Sequence, residues 1–466
     1  MGSRKCRCVA LILLVASASS ALAHKHDGEV VHSPDNDAKP IDAILYLHIA
    51  IQTLTWGFVF PIGMVLGLVR SRWHIPTQVV GFVLTSGGYF LGHSHGGRQF
   101  KETVHGSFAS FLYVPMVMQL CIGVYLKLHV HEKSIRPYFV IVHGLLGKIW
   151  PILGWTQMVF GAATLGGYCF DGGLNQCLAH YIMGSGFIAY GILLAIALLA
   201  GSEWIQSTGR SQEWFDSVVI LLWGIVNTFT EHHGPLTKWS HKDLQHTSLG
   251  ILWWAGGALG VYLSRNGRRS VIPGIIIIIT GWAMSAHEQA MAISTKIHSI
   301  FGIVLMSAGA TRIIEVSLVL RDLARLEPAS RELEPPSPFI RSFQHLPPLV
   351  GYLVLFMSAT DEELKFVNSI EVDHVTYALL MFCLAFVIYL HTVFLINLWR
   401  TLGRNAAVRE GVAKTRGNAG YTRVPFEPMD GVLHDAEVFE LGPTDYEPDD
   451  TLEQSRRGKR SSNVTD

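Results

Sequence analysis

The chain is a succession of apolar stretches, many of them near the roughly 20 residues that a bilayer crossing needs, separated by short polar loops. No other feature limits its folding as much. Inside a bilayer the backbone satisfies its own hydrogen bonds only as helices or as a closed barrel, and stretches this long and continuous read as helices. Hydrophobic residues make up 49% of the 466 and charged ones 15%, too little charge to cover a soluble globule of that size. The expected fold class is all-α, a polytopic transmembrane helical protein with about eleven spans after a cleaved signal peptide. We read the spans at 43–68, 75–92, 104–126, 138–165, 181–200, 215–230, 246–263, 271–287, 297–320, 346–359 and 375–398. The apolar spans make the lipid bilayer the expected partner, and a net charge of zero suggests no nucleic-acid partner.

Residues 1–23 read as a secretory signal peptide. Arg4, Lys5 and Arg7 precede an apolar run from Val9, and Ala21-Leu22-Ala23 supplies a small-residue cleavage site. Cleavage leaves an extracytoplasmic segment at 24–42; an uncleaved anchor is the alternative, although the run is short for a span. With the first span starting outside, loops after odd spans are cytosolic. They carry Arg70, Arg72, Lys127, Lys133, Arg136, Arg210, Arg265, Arg268, Arg269, Arg321, Arg325, Arg400 and Arg404, the positive-inside pattern. Pro347 and Pro348 blur one boundary, and the span near Trp214 is weakly apolar. Residues 401–466, polar and mixed in charge, read as a disordered cytosolic tail. Cys169 and Cys177 share an external loop in an oxidising compartment, which favours a disulfide over a metal-binding pair. Cys121 and Cys383 fall inside spans and read as small core hydrophobes.

His48, His74, His105 and His143 each lie within the first few residues of one of the first four spans. Successive spans run in opposite directions, so His48 and His105 share one membrane face and His74 and His143 the other. In an up-and-down bundle the first and third helices, and the second and fourth, face each other diagonally across the core, so each pair could clamp a haem. A histidine at a helix start also serves as a cap or an interfacial hydrogen-bonding group, and that reading stands for any one of the four taken alone. The set carries recurring neighbours, however. His48 and His74 are followed four residues on by Gln52 and Gln78; His105 and His143 are followed at once by Gly106 and Gly144, and fourteen residues on by Gln119 and Gln157. Glycine beside a ligand leaves room for a porphyrin face.

The run His48-x3-Gln52-x3-Trp56-Gly57-x3-Pro61-x-Gly63, then Arg72-Trp73-His74-x3-Gln78, His105-x13-Gln119-x3-Gly123 and His143-x3-Gly147-Lys148, resembles the four-histidine core of cytochrome b561-type electron-transfer proteins over residues 43–165. The resemblance implies two b-type haems near opposite membrane faces, the outer on His48 and His105 and the inner on His74 and His143. It also implies electron flow from a cytosolic donor such as ascorbate to an extracytoplasmic acceptor. The chain as a whole also resembles fungal YTP-type multispanning membrane proteins, a family to which we can attach no chemistry. Irons placed so would lie on the order of 20 Å apart along helices rising about 1.5 Å per residue. Lys148 could pair a haem propionate or snorkel to the interface, and His93, His95, His129 and His131 are substitute ligands or loop residues.

The second membrane region, 166–400, is expected to carry about seven spans. Its external loops concentrate histidine: His180, His232, His233, His241, His246, His287 and His298, with Asp243 and Glu288 among them. His241, Asp243, His246, His287 and His298 are a candidate outer-face metal site, binding zinc, copper or iron, or a third haem; a hydrogen-bonded interfacial cluster is the alternative. His24 and His26 form an N-terminal spacing that chelates Cu(II) or belong to a disordered terminus. Arg312 and Glu315 stand at helical spacing for an interfacial ion pair. Transmembrane electron transfer to a ferric or cupric ion, or to an ascorbate radical, is the leading expectation. The alternative is a non-redox membrane protein built on the outer-face metal site, as a metal-dependent hydrolase or a metal-binding or transport protein.

Overall fold

The computed structural model describes residues 40–319 and 356–405, apart from 101, 170–173, 231–238, 240, 287–288, 290, 320–355 and 404. The signal peptide, His24, His26, His232, His233, His287, Glu288, most of the span expected at 346–359 and nearly all of the tail lie outside the described residues. Among those described there is no strand; the chain is all-α.

The elements, in order, are α1 (Ala43–Leu68), α2 (His74–Ser94), α3 (Val104–Lys127), α4 (Arg136–Gly166), α5 (Leu174–Leu199), a short α6 (Ser202–Ser207), α7 (Gln212–Thr230), α8 (His241–Leu263), α9 (Ile272–Ser285), α10 (Ala292–Ile314), α11 (Asp361–Ser369) and α12 (His374–Thr401). α1, α3, α4, α5, α10 and α12 are long and apolar enough to cross a membrane, and α9 is a shorter apolar helix. The outer faces of the helices are apolar: Phe90 of α2, Ile152 of α4, Leu193 of α5, Phe229 of α7 and Leu390 of α12 are each more than 60% exposed. Water would penalise so much bare hydrocarbon, whereas lipid tails solvate it. Cys121 and Cys383 belong to that exterior. Both are exposed on helix surfaces, and the expectation of core packing is corrected.

The first four helices form two antiparallel hairpins, α1 with α2 and α3 with α4. We call the end where α1 starts the upper end. Asp42 caps α1 by accepting from the Leu45 N–H at 2.8 Å, and it accepts from Gly96 and Gly97 as well. The α2–α3 loop is thereby tied over the top of the bundle. These N–H donors, Leu45 first, hold the Asp42 carboxyl below its usual range. Midway along α1 the residues Thr55–Val59 widen into a π-helical turn. Pro61 crowds the carbonyl four residues back, and the widened turn accommodates it while burying Trp56.

In the remaining helices α7–α8 and α9–α10 pack as antiparallel pairs at backbone-to-backbone distance. Gly224 lies against α8, Gly257 against Leu221, and Gly274 and Gly281 against Gly309 and Gly302. α7 covers the weakly apolar span, and its buried face explains that composition: Glu213, Asp216, Ser217 and Asn227 all point inward. Ile188, Met284, Phe301, Leu305, Ala308, Phe356 and Ala385 join α5, α9, α10 and α12 in one core. Asp361 to Glu363, which fall between the spans expected at 346–359 and 375–398, open α11. Thr360 caps that helix, and its acidic first turn favours the helix N-terminus.

Candidate functional site

The four histidines meet as two pairs. His48 and His105 have ring centres 6.3 Å apart with planes at 90°, and His74 and His143 have centres 6.3 Å apart at 88°. The first pair lies at the upper end, between the starts of α1 and α3, and the second at the lower end, between the starts of α2 and α4. A metal held in line by two ring nitrogens at roughly 2.0–2.1 Å, each about 1.15 Å from its ring centre, separates the centres by roughly 6.3–6.5 Å. The observed spacing leaves room for one ion between the two imidazoles of each pair.

Each ring is fixed from behind. His48 Nδ1 lies 2.6 Å from the Gly88 carbonyl, His74 Nδ1 2.7 Å from the Gly63 carbonyl, and His105 Nδ1 3.3 Å from that of Gln157. A carbonyl accepts only from a protonated Nδ1, so Nε2 is left as the metal-binding nitrogen. His143 is the exception; its Nδ1 is buried without a hydrogen-bond partner among the described residues. Each ring also rests on a glycine of the neighbouring helix. A Cβ at Gly92 or Gly67 would stand 2.7 Å from His48 or 2.8 Å from His74, one at Gly161 3.0 Å from His105, and one at Gly123 3.4 Å from His143.

The glutamines that recur beside the histidines brace the helix backbones. Gln52 Nε2 donates to the Thr85 carbonyl at 3.1 Å, Gln119 to that of His143 at 3.0 Å, and Gln157 to that of His105 at 2.9 Å. Trp56 fills the middle of the bundle. Its Nε1–H reaches Gln52 Oε1 at 3.2 Å and Thr85 Oγ1 at 3.0 Å, and its ring lies 5.6 Å from that of Trp150.

A cleft of about 260 Å³ begins at the His74–His143 pair and is walled by Phe60, Phe82, Met116, Gly147 and Trp150. Lys148 and Lys127 both line it. Lys127, read in the sequence only as one of the cytosolic-loop cations, closes α3 and is brought beside Lys148 by the packing of α3 against α4. The residues present thus fit a flat, hydrophobic macrocycle bearing anionic substituents and ligated on both faces. Three of the flanking histidines are engaged locally, His93 Nδ1 with the Tyr89 carbonyl, His129 with Glu132 at 3.0 Å and His131 beside Tyr125, while His95 packs on Phe100 with its Nδ1 buried and without a hydrogen-bond partner among the described residues.

Of the candidate outer-face metal site, His287 lies outside the described residues. Among the described residues no three His, Cys, Asp or Glu side chains come within reach of one metal ion. His241 opens α8, with Asp243 and His246 in the turns that follow, and Asn227 donates to the His246 carbonyl at 2.9 Å. His298 is buried in α10 and pairs instead with His180. Cys169 and Cys177 form the expected disulfide, and the Cys169 N–H donates to Glu362 at 2.7 Å, tying that loop to α11.

At the lower end Arg312 does pair with Glu315, at 2.6 Å, within a larger buried network that the sequence hid. Arg312 also reaches Glu213 at 2.5 Å, Arg269 reaches Glu213 at 3.2 Å, and Tyr190 donates its hydroxyl to Asp216. Glu213 is 1% exposed. Four separated stretches of chain converge there, and only folding brings them together.

Comparison with known proteins gives a family. The family described as Protein YTP1-like, C-terminal, matches residues 153–400, and a domain of unknown function, DUF2427, matches residues 31–129. Protein YTP1 of Saccharomyces cerevisiae is 45% identical over 252 residues, covering 53% of this chain and 52% of that protein. The chain therefore spans about half the length of that relative. An uncharacterised membrane protein of Schizosaccharomyces pombe is 24% identical, covering 74% of this chain and 91% of its own. A second uncharacterised membrane protein of Saccharomyces cerevisiae is 25% identical over 40% of this chain and 37% of its own. No solved structure matches. With residues 153–400 matched, more than half of its 466, the chain belongs to the YTP1-like family.

Proposed function

We propose that the first four helices hold two b-type haems, one between His48 and His105 and one between His74 and His143, and that the protein moves single electrons across the bilayer. The observation that carries this reading is the recurrence of one geometry at both ends of the bundle: two imidazoles 6.3 Å apart and nearly perpendicular. Bound there, a bis-imidazole haem exchanges one electron at a time and offers no open iron position, so it relays electrons and does not activate oxygen.

The chain's own residues do the rest. The carbonyls of Gly63, Gly88 and Gln157 hold three of the rings in the Nδ1–H tautomer, which makes each Nε2 a better donor to a metal. The glycine seats set ring depth, and Lys127 and Lys148 offer cations to carboxylates at the cleft rim. Trp56 and Trp150 exclude water from the space between the two pairs with aromatic surface. In this reading residues 1–23 are removed, the chain crosses the bilayer about eleven times from an extracytoplasmic N-terminus to a cytosolic C-terminus, and the route runs from a cytosolic donor of the ascorbate type to an extracytoplasmic ferric or cupric ion or ascorbate radical.

The test is the reduced-minus-oxidised visible spectrum of the full chain purified in detergent from haem-sufficient cells, with haem counted per chain. Two low-spin b-type haems are expected, with one lost in His48→Leu and the other in His74→Leu. A colourless protein would refute the proposal.

A further inference from the structure

The four-helix core repeats itself. His48 and Gln52 of α1 face Gly92 and Gly88 of α2, and His74 and Gln78 of α2 face Gly67 and Gly63 of α1. His48 Nδ1–H donates to the Gly88 carbonyl and His74 Nδ1–H to that of Gly63. The other two helices correspond in the same way. Gly123 meets His143 and Gly161 meets His105, and Gln119 and Gln157 each donate to the carbonyl of the other helix's histidine. An approximate two-fold axis across the bundle thus exchanges α1 with α2, α3 with α4, and the upper end with the lower. Positions 48 and 52 correspond to 74 and 78, positions 63 and 67 to 88 and 92, and positions 105, 119 and 123 to 143, 157 and 161. Between 52 and 63 the match of α1 to α2 shifts by a single residue, which the π-helical turn Thr55–Val59 absorbs.

The two ends differ where this repeat is broken. Met64, Leu68, Lys127 and Lys148 line the lower cleft. The axis carries them to Tyr89, His93, Leu165 and Ser110 at the upper end. Contacts there agree with that placement: the Tyr89 and Ser110 hydroxyls lie 3.2 Å apart, and the His93 ring centre is 4.4 Å from that of Tyr89. His93 also directly follows Gly92, on which the His48 ring rests. It is exposed, and its Nδ1–H donates to the Tyr89 carbonyl at 2.9 Å, which leaves the Nε2 lone pair for a metal. An imidazole beside phenol and hydroxyl oxygens supplies the nitrogen and oxygen donors that suit Cu(II). The lysines of the lower cleft draw anions and repel cations, and at the two corresponding upper positions that field is gone.

We propose that His93, on the rim of the upper site, holds a cupric ion as the acceptor of the outgoing electron. The proposal rests on the haem reading and narrows it: the ion takes one electron, relayed through the bundle from the cytosolic donor, and leaves as Cu(I). The full chain, purified in detergent and kept oxidised, is titrated with Cu(II), and bound copper is counted and followed by electron paramagnetic resonance. His93→Leu is expected to bind one ion per chain fewer and to lose the matching nitrogen-coupled signal, with both haems retained. The reduced protein is then reoxidised in stopped flow by Cu(II) or by ferricyanide. His93→Leu should raise the Cu(II) concentration for half-maximal rate roughly ten- to a hundredfold or more and leave the ferricyanide value unchanged. Ser110→Lys, which gives the upper rim the lysine of the lower cleft, should raise that concentration for Cu(II) and lower it for the ferricyanide anion. A copper count and Cu(II) dependence unchanged in His93→Leu, or shifts of the same sign for both acceptors in Ser110→Lys, would overturn the proposal. A colourless chain whose copper still depends on His93 would overturn the haem reading and leave the copper site standing.

Discussion

Replacing Gly67 with alanine tests whether the histidine pairs are built as ligand seats. The new Cβ would stand 2.8 Å from His74 Nδ1 and 2.9 Å from its Cε1, and at Gly92 the same change meets His48 Nδ1 and Cε1 at 2.7 Å. Relaxed contacts of this kind need about 3.4 Å or more, so the ring must retreat by about 0.6 Å, pulling on the bond from Nδ1 to the Gly63 or Gly88 carbonyl. Overpacking of this sort costs about 1–3 kcal/mol and a lost hydrogen bond about 1 kcal/mol. Together they weaken one site by about 2–4 kcal/mol, or roughly 30- to 700-fold in affinity. Gly123 is the internal control, since a Cβ there meets His143 at 3.4 Å, an ordinary contact. Haem per chain and redox titration of the purified variants read the effect. Gly67→Ala should lose or shift only the lower haem, Gly92→Ala only the upper one, and Gly123→Ala neither. Two haems with unchanged potentials in both Gly67→Ala and Gly92→Ala would refute the seating argument.

Two other consequences follow from buried charge. Glu213→Gln leaves the buried Arg312 short of a partner, and thermal unfolding in detergent should show a loss of about 3–5 kcal/mol, against the few tenths typical of a surface change; a loss that small would mean the network is not a structural tie. Burial pushes the Glu363 carboxyl in α11 up to about 8 from the usual 4.5. Between those values the unfolded chain releases a proton that the folded chain keeps, so stability is full below pH 4.5, falls as pH rises to about 8 and is flat beyond. Melts from pH 5 to 9 should show this slope in the unmutated protein and little of it in Glu363→Gln; the same slope in both would remove Glu363 as its cause.

Much of the helical layout is legible in the chain. Ten of the eleven stretches read as spans are helices among the described residues, because a bilayer crossing sets both the length and the composition of an apolar run. Their ends were harder to place. α5 and α8 start several residues ahead of the apolar run, at Leu174 and His241, since helical hydrogen bonding continues into polar residues that hydropathy assigns to loops. The pairing of His48 with His105 and of His74 with His143 follows from alternating helix direction and was readable. The glycine seats were not, because Gly92 meets His48 and Gly161 meets His105 only through helices packed across the bundle.

The second region divides the same way. Its histidines at helix starts were visible, yet grouping them by proximity in sequence put His298 with His241 and His246, whereas the fold sets it against His180, 118 positions earlier. Spacing along one helix specifies neighbours three or four residues apart, which is why Arg312 with Glu315 could be read and Arg312 with Glu213 could not. By itself the sequence determined that the chain forms apolar helices, in which order, and which polar residues begin or end them, since those depend on the cost of exposing backbone and charge to lipid. Which histidines face one another, which glycines receive them and where the buried charges converge were decided by tertiary structure alone, because side-chain contacts between helices depend on rotation and register, which packing sets and composition leaves open.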